Sequence, residues 1–299
     1  MIRIFLLPII FIFFIVACNT VSSTNALAQK EDILQNVVDE NTNVKIPEFT
    51  IDTLGQTIST RFIYNDTNFV RPFVQKGSFA DYLRNLPLKP HGSVCHYYDG
   101  GEKRWEYTAA VVDMSIDNED LQQCADAVMR LRGEYLYANK QYDKMHFNFT
   151  NGFCCDFKSW AEGKRVGING NKTWWRENAA AVDYSYTNFR KWMKMVFYYA
   201  GTLSLSKELK HVALSDVQIG DVLIRGGSPG HCEIIVDILK NEKTGEVKLM
   251  LAQSYMPAQE IEILYTEKFS PWYSVMPDQN EIWTMSWDFS IDQIMRFAE

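Results

Sequence analysis

Apolar positions recur at helical spacing in three stretches. Phe79, Tyr82, Leu83 and Leu86 fall at i, i+3, i+4 and i+7 behind Ser78, and Pro87 and Pro90 stop the run, so a helix is predicted over Ser78 to Leu86. The strongest pattern runs from Ile116 to about Tyr137. Leu121, Cys124, Ala125, Val128, Leu131 and Tyr135 share one face, and Asp126, Arg130 and Glu134 form a charged row on another. Asp117, Asn118 or Asp120 is expected to cap it, and the acids in its first turn suit the helix dipole. A third helix is predicted over Thr187 to Ala200, ended by Gly201. Strand patterns follow. Ser93 to Tyr98 is predicted to pair with Tyr107 to Met114 around Asp99-Gly100-Gly101, and Met145 to Phe149 reads as a short strand. The last third reads as Val222–Ile224, His231–Ile238, Val247–Gln253, Glu260–Tyr265 and Ile282–Phe289, with a hairpin turn at Asn241 to Gly245. Trp160 to Trp175, rich in Gly and Asn, reads as a surface loop. Helices early and an antiparallel sheet late give an α+β fold.

The first residues read as an address. Met1-Ile2-Arg3 is a short basic region, Ile4 to Val16 is almost continuously apolar, and Ile15-Val16-Ala17 leads into Cys18. This resembles the bacterial lipoprotein signal, and the apolar run is short for a membrane span. The resemblance implies removal of residues 1–17 and lipidation of Cys18, which tethers the protein to the cell envelope. Asn19, rather than Asp, follows the lipid site and points to the outer membrane. Residues 18–42 are polar and small, as a flexible tether would be, and a single α+β domain is expected over 43–299.

Composition narrows the function classes. The net charge is −7; without Arg3 the 30 cations become 29 against 37 acids, or −8. An acidic chain with scattered Lys and Arg excludes a phosphate-tracking nucleic-acid binder. Hydrophobic residues at 46% and aromatics at 14% suffice for a large core. Of the six cysteines, Cys18 is assigned to lipid, which leaves Cys95, Cys124, Cys154, Cys155 and Cys232. An odd number cannot pair completely. No C-x-x-C occurs, and His91, His96, His146 and His211 lack metal-ligand spacing, so no metal or other cofactor is expected.

The candidate chemistry centres on Gly220 to Asp237. Two strands flank a Gly-Gly-Ser-Pro-Gly turn, and His231 leaves that turn, where it is expected to be exposed. A cysteine hydrolase needs a thiolate near positive potential, an imidazole in reach, and a polar group that orients the imidazole. Cys124 near a helix start, His231 after the turn, and Gln253 at the end of the next antiparallel strand supply these types in a workable order. Cys232 is expected on the opposite face, in the core. Glu233 and Asp237 are expected to face solvent or a partner strand. Asp221 is expected to cap the turn or bind His231. Trp160, Trp174, Trp175, Trp272 and Trp283 suggest an aromatic cleft suited to sugar faces.

A cysteine helix, a Gly220-Asp221 strand, a Gly230-His231 strand and a following strand with a polar end resemble the papain-like NlpC/P60 and CHAP amidases of bacterial cell walls. The resemblance implies Cys124 as nucleophile, His231 as base, Gln253 as orienting residue, and Gln122 or Gln123 at an oxyanion hole. The Asp-Cys-Ser-Gly surroundings of the NlpC/P60 nucleophile are absent; Gln122-Gln123-Cys124-Ala125-Asp126 is nearer to CHAP. The segments Asp120 to Arg132, Gly220 to His231 and Leu251 to Gln259 are also similar to a Bacteroidota lipoprotein family known only as a domain of unknown function, over most of residues 75–297. Two readings follow. One is a papain-like cysteine amidase or peptidase acting on cell-wall peptides or other amides. The other is a non-catalytic envelope lipoprotein that binds peptidoglycan, glycan or a protein partner.

Overall fold

The β-branched run after the Gly-rich turn sets the centre of the molecule. In a computed structural model of the protein, residues 47–298 are described. The expected signal 1–17, the lipid site Cys18 and the tether 18–42 lie outside the described residues. Eight strands form the main sheet: β1 (Thr108–Val111), β2 (Lys210–His211), β3 (Val222–Arg225), β4 (His231–Lys240), β5 (Val247–Gln253), β6 (Glu262–Leu264), β7 (Tyr273–Val275) and β8 (Ile294–Arg296). Their order is β1-β6-β5-β4-β3-β8-β2, with β7 paired to β5, and every pairing is antiparallel. The fold is α+β, as expected.

β4 is the central strand, and nine of its ten residues are buried. Such burial needs cover on both faces, which explains the apolar run Ile234 to Val236. Helix α1 (Phe79–Arg84) and helix α2 (Cys124–Ala138) both pack on β4. Ser78 caps α1 by accepting from the Asp81 N–H. Helix α3 (Tyr186–Tyr199), capped by Ser185, lies against α2. Gly133 permits that approach: a Cβ there would sit 3.0 Å from Met193 Sδ and 3.5 Å from the Phe189 ring. Helix α4 (Thr202–Glu208) follows directly and touches β3 beside the Gly-rich turn.

Four local expectations are corrected. Helix α2 begins at Cys124, not near Asp117, because the acids ahead of it are used elsewhere. Asp117 pairs with Arg190 at 2.9 Å, Glu119 accepts from Tyr198 Oη at 2.9 Å and binds Lys194, and Asp120 Oδ1 accepts the Ala258 N–H at 2.6 Å. Ser93 to Tyr98 does not pair with β1; it makes single bridges, Tyr97 with Gln259 and His96 with Glu102, while β1 pairs β6. Trp160 to Trp175 is not a loop. It holds the end of a helix (Phe157–Ala161) and most of a hairpin of two strands (Arg165–Asn169, Lys172–Arg176). Asp237 does not face solvent. It is wholly buried, 2.8 Å from Arg84 Nε and 2.8 Å from Arg71 Nε, although the Arg71 contact is not aligned as a hydrogen bond.

Burial pushes the Asp237 carboxyl above its ordinary range, and Arg71 and Arg84 oppose the shift. Arg84→Ala therefore strands a buried carboxylate and should cost about 3 kcal/mol of stability. The loss should be larger at pH 8 than at pH 5, because a carboxyl held high takes up a proton in acid and sheds the penalty. Urea melts at the two pH values check this; an equal loss at both would mean that Asp237 is not the group responsible.

Candidate active site

Each candidate residue reaches the site through its own element. Cys124 is the first residue of α2. The Gln123 N–H, just ahead of it, donates to Asp126 Oδ2 at 3.0 Å and closes the first turn. The helix start therefore directs unpaired N–H groups and a positive dipole end at the sulfur. His231 opens β4, paired with Arg225 across the turn. That turn is crowded: a Cβ on Gly230 would lie 2.5 Å from Gly227 O and 2.6 Å from Thr202 Oγ1, so only glycine fits before the histidine. Gln253 ends β5, whose antiparallel register sets Ile234 opposite Ala252 and so brings Gln253 to the His231 end of the sheet.

The three side chains meet. His231 Nε2 is 2.7 Å from Gln253 Oε1. The Gln253 amide nitrogen donates to Glu262 Oε1 at 2.9 Å and to Ser286 Oγ at 2.7 Å. Those two bonds fix the amide's orientation, so its oxygen must face the ring and His231 must carry a proton on Nε2. Nδ1 is left for Cys124, which lines the same cleft as the ring and whose thiol the ring lowers. Glu262 is anchored in turn by Lys103 Nζ at 2.5 Å, Gln259 Nε2 at 3.0 Å and Thr108 Oγ1 at 2.6 Å. Ser254 Oγ donates to the Gln122 carbonyl at 2.9 Å, which ties the end of β5 to the chain entering α2.

The electrostatics suit a nucleophile. The Cys124 thiol is lowered to about 4, first by the Cys232 thiol, then by His231 and the Ala125 N–H, against the opposing cost of burial. Cys232 is fully buried, and burial holds its thiol well above the ordinary range, so it stays protonated beside Cys124. It is a core residue, as expected, yet it touches the nucleophile. Burial works against the charged form of His231, but the Cys124 thiolate and Glu233 outweigh it and raise the imidazole.

Several expectations need correction here. His231 is not exposed; it is 2% accessible, covered by Tyr255, Trp287 and Phe289 with ring centroids 5.0, 5.5 and 6.2 Å away. Glu233 does not face solvent; it is wholly buried, with Oε1 3.7 Å from His231 Nε2. Asp221 does not bind His231; its carboxylate accepts the Gln218 N–H at 2.9 Å, closing the turn that enters β3, and binds Arg296 at 2.6 and 2.8 Å. The Gln123 amide nitrogen donates to Asp120 Oδ1 at 3.1 Å and is not set for an oxyanion; Gln122 is buried, its oxygen accepting from Arg130 Nη1 at 3.0 Å while its Nε2 has no hydrogen-bond partner, and it does not line the cleft. The expected aromatic cleft does not form. Trp160 and Trp272 are buried, while Trp174 and Trp283 lie exposed on separate hairpins. The sequence reading missed Trp287, Tyr255 and Glu262. The even spacing of Glu260 and Glu262 within a strand pattern was the only signal available for the last.

Cys124 and His231 open onto a cleft of about 460 Å³, bordered by Thr202, Gly227, Tyr255 and Trp287. Among the described residues no cluster of His, Cys, Asp and Glu fit to hold a metal ion is found, and the five cysteines are unpaired.

With its thiol near 4, Cys124 should be alkylated by iodoacetamide near pH 5.5, while Cys95, Cys154 and Cys155, pushed up by burial, should not. Peptide mapping by mass spectrometry reads the site directly. His231→Ala should slow the Cys124 reaction at that pH by about tenfold or more, because the thiolate loses its counter-charge. Labelling of Cys124 only in alkali would remove it as a nucleophile.

No curated protein and no solved structure matches the chain. Residues 58–296, which contain every side chain of this site, match the family described as domain of unknown function 4846, and the chain belongs to that family.

Proposed function

We propose that the protein is a papain-like cysteine amidase or peptidase, related in arrangement to the NlpC/P60 and CHAP enzymes and acting on cell-wall peptides or a similar amide. One observation carries the reading: a cysteine at the first position of a helix, with a lowered thiol, shares a cleft with a histidine whose far nitrogen is 2.7 Å from a fixed glutamine oxygen. A thiol used only for packing does not need this arrangement.

The chemistry follows from the geometry. The Cys124 thiolate attacks the amide carbon, and the oxygen becomes an oxyanion. The backbone N–H groups at the start of α2 are the donors best placed to meet it, since the Gln123 amide is bound to Asp120 and Gln122 does not line the cleft. The His231 imidazolium gives its Nδ1 proton to the departing amine, which leaves a thioester. Neutral His231 then takes a proton from water, the resulting hydroxide cleaves the thioester, and the thiolate returns. Gln253 keeps the ring in one tautomer throughout. The cleft is lined by Asp120 but by no Lys or Arg, which argues against a strongly anionic substrate. The Cys18 motif supports a lipid-anchored envelope protein, at the outer membrane, as the setting.

Purified protein incubated with muropeptides and followed by mass spectrometry should release cleaved peptides. Cys124→Ala should abolish release, and His231→Ala should lower kcat by about 10²- to 10⁴-fold. If nothing is cleaved and cell-wall pull-down survives both substitutions, the protein is a binding lipoprotein that reuses the fold.

A further inference from the structure

Glu233 lies two residues beyond His231 on the same strand. It is wholly buried, and its Oε1 lies 3.7 Å from His231 Nε2. Thr284 Oγ1 donates to Oε1 at 2.7 Å, while Oε2 is buried with no hydrogen-bond partner. No Lys or Arg pairs with it among the described residues; its ion pair is with His231. This contrasts with the other two buried acids of the sheet: Glu262 is matched by Lys103, and Asp237 by Arg71 and Arg84. A buried carboxylate without a cation is costly unless something nearby becomes positive. The one group in reach that can do so is the His231 ring.

We propose that Glu233 is a positioning residue for the Cys124–His231 pair: its unmatched buried carboxylate favours the protonated ring, and so favours thiolate–imidazolium over thiol–imidazole. The inference rests on reading Cys124 as the nucleophile and adds a fourth member to Cys124, His231 and Gln253. The two ring partners divide the work. Gln253 accepts at 2.7 Å and sets direction; Glu233, beyond hydrogen-bond distance at 3.7 Å, supplies charge.

The other groups facing Glu233 fit this role. Burial, aided by the Glu262 charge on β6, raises its carboxyl to about 7 even though His231 and Thr284 pull it down. Tyr273 on β7 also feels the Glu233 charge, and burial holds its phenol up and neutral. Cys232, beside it on β4, stays protonated. Glu233 and His231 therefore exchange protons as a coupled pair near neutral pH.

The test is the ring's own titration, followed by NMR on protein labelled at histidine. In Glu233→Gln, the His231 midpoint should fall by about one pH unit, as expected for loss of an adjacent opposite charge. Alkylation of Cys124 by iodoacetamide at pH 8, where the parent's Glu233 is ionised, should slow several-fold in the same variant, while its melting temperature stays close to that of the parent. An unchanged His231 midpoint in folded Glu233→Gln overturns the proposal. Should that variant not fold, carbon-13 at the Glu233 carboxyl of the parent protein decides. An inflection shared with His231 supports the pairing, and a single inflection in the ordinary Glu range overturns it. The broader reading fails separately: a parent Cys124 that labels only in alkali removes the nucleophile even where the Glu233–His231 titrations are coupled.

Discussion

A continuous line of buried hydrogen bonds organises this molecule. It runs from His231 Nε2 to Gln253, from Gln253 to Glu262, and from Glu262 to Lys103. Each member lies on a different strand or loop, so the line cannot form until β4, β5 and β6 are paired and the Lys103 loop is in place. Inside a sheet core every such group must be satisfied, because an orphan costs about 1–3 kcal/mol. The same requirement that makes the network expensive also makes it specific. One orientation of the Gln253 amide satisfies Glu262 and Ser286, and that orientation fixes the proton on the ring.

Much of the architecture could be read from local pattern. Helix α3 was legible over Thr187 to Ala200 because Phe189, Trp192, Met193 and Val196 fall on one face and Gly201 follows; the structure adds the Ser185 cap. The β4–β5 hairpin was legible because Asn241 and Gly245 supply its turn, with the Gly245 N–H bonded to Asn241 O at 2.8 Å. The start of α2 was not. Asp117 and Glu119 look like first-turn acids, but Arg190 and Lys194 on α3 claim them, and no local rule anticipates a competitor more than seventy residues away. The Trp-rich stretch was misread because Gly163, Gly167 and Gly170 suggest a loop, yet Gly170 makes the turn of a hairpin and Gly167 lies beneath Trp174.

The site divides in the same way. The residue types and their order along the chain pointed to Cys124, His231 and Gln253, since antiparallel register alone brings the last two together. Exposure was beyond reach. A Gly-rich turn normally displays the residue that leaves it, but Tyr255, Trp287 and Phe289 close over His231 from segments remote in sequence. Glu233 was misjudged for a related reason. Alternation with apolar neighbours suggests a wet face, and only the hairpin ending near Ser290, which carries Thr284 and Phe289 over that face, makes it dry.

The ion pairs of Asp237 have a mechanical consequence. Arg71 and the Val70–Lys240 bridge fasten the chain that precedes α1 to the C-terminal end of β4. His231 lies at the other end of that ten-residue strand, about 30 Å away at strand rise. The segment before α1 is thus pinned to the end of the central strand remote from His231, so a change at Arg71 or Arg84 acts first on that end of the strand.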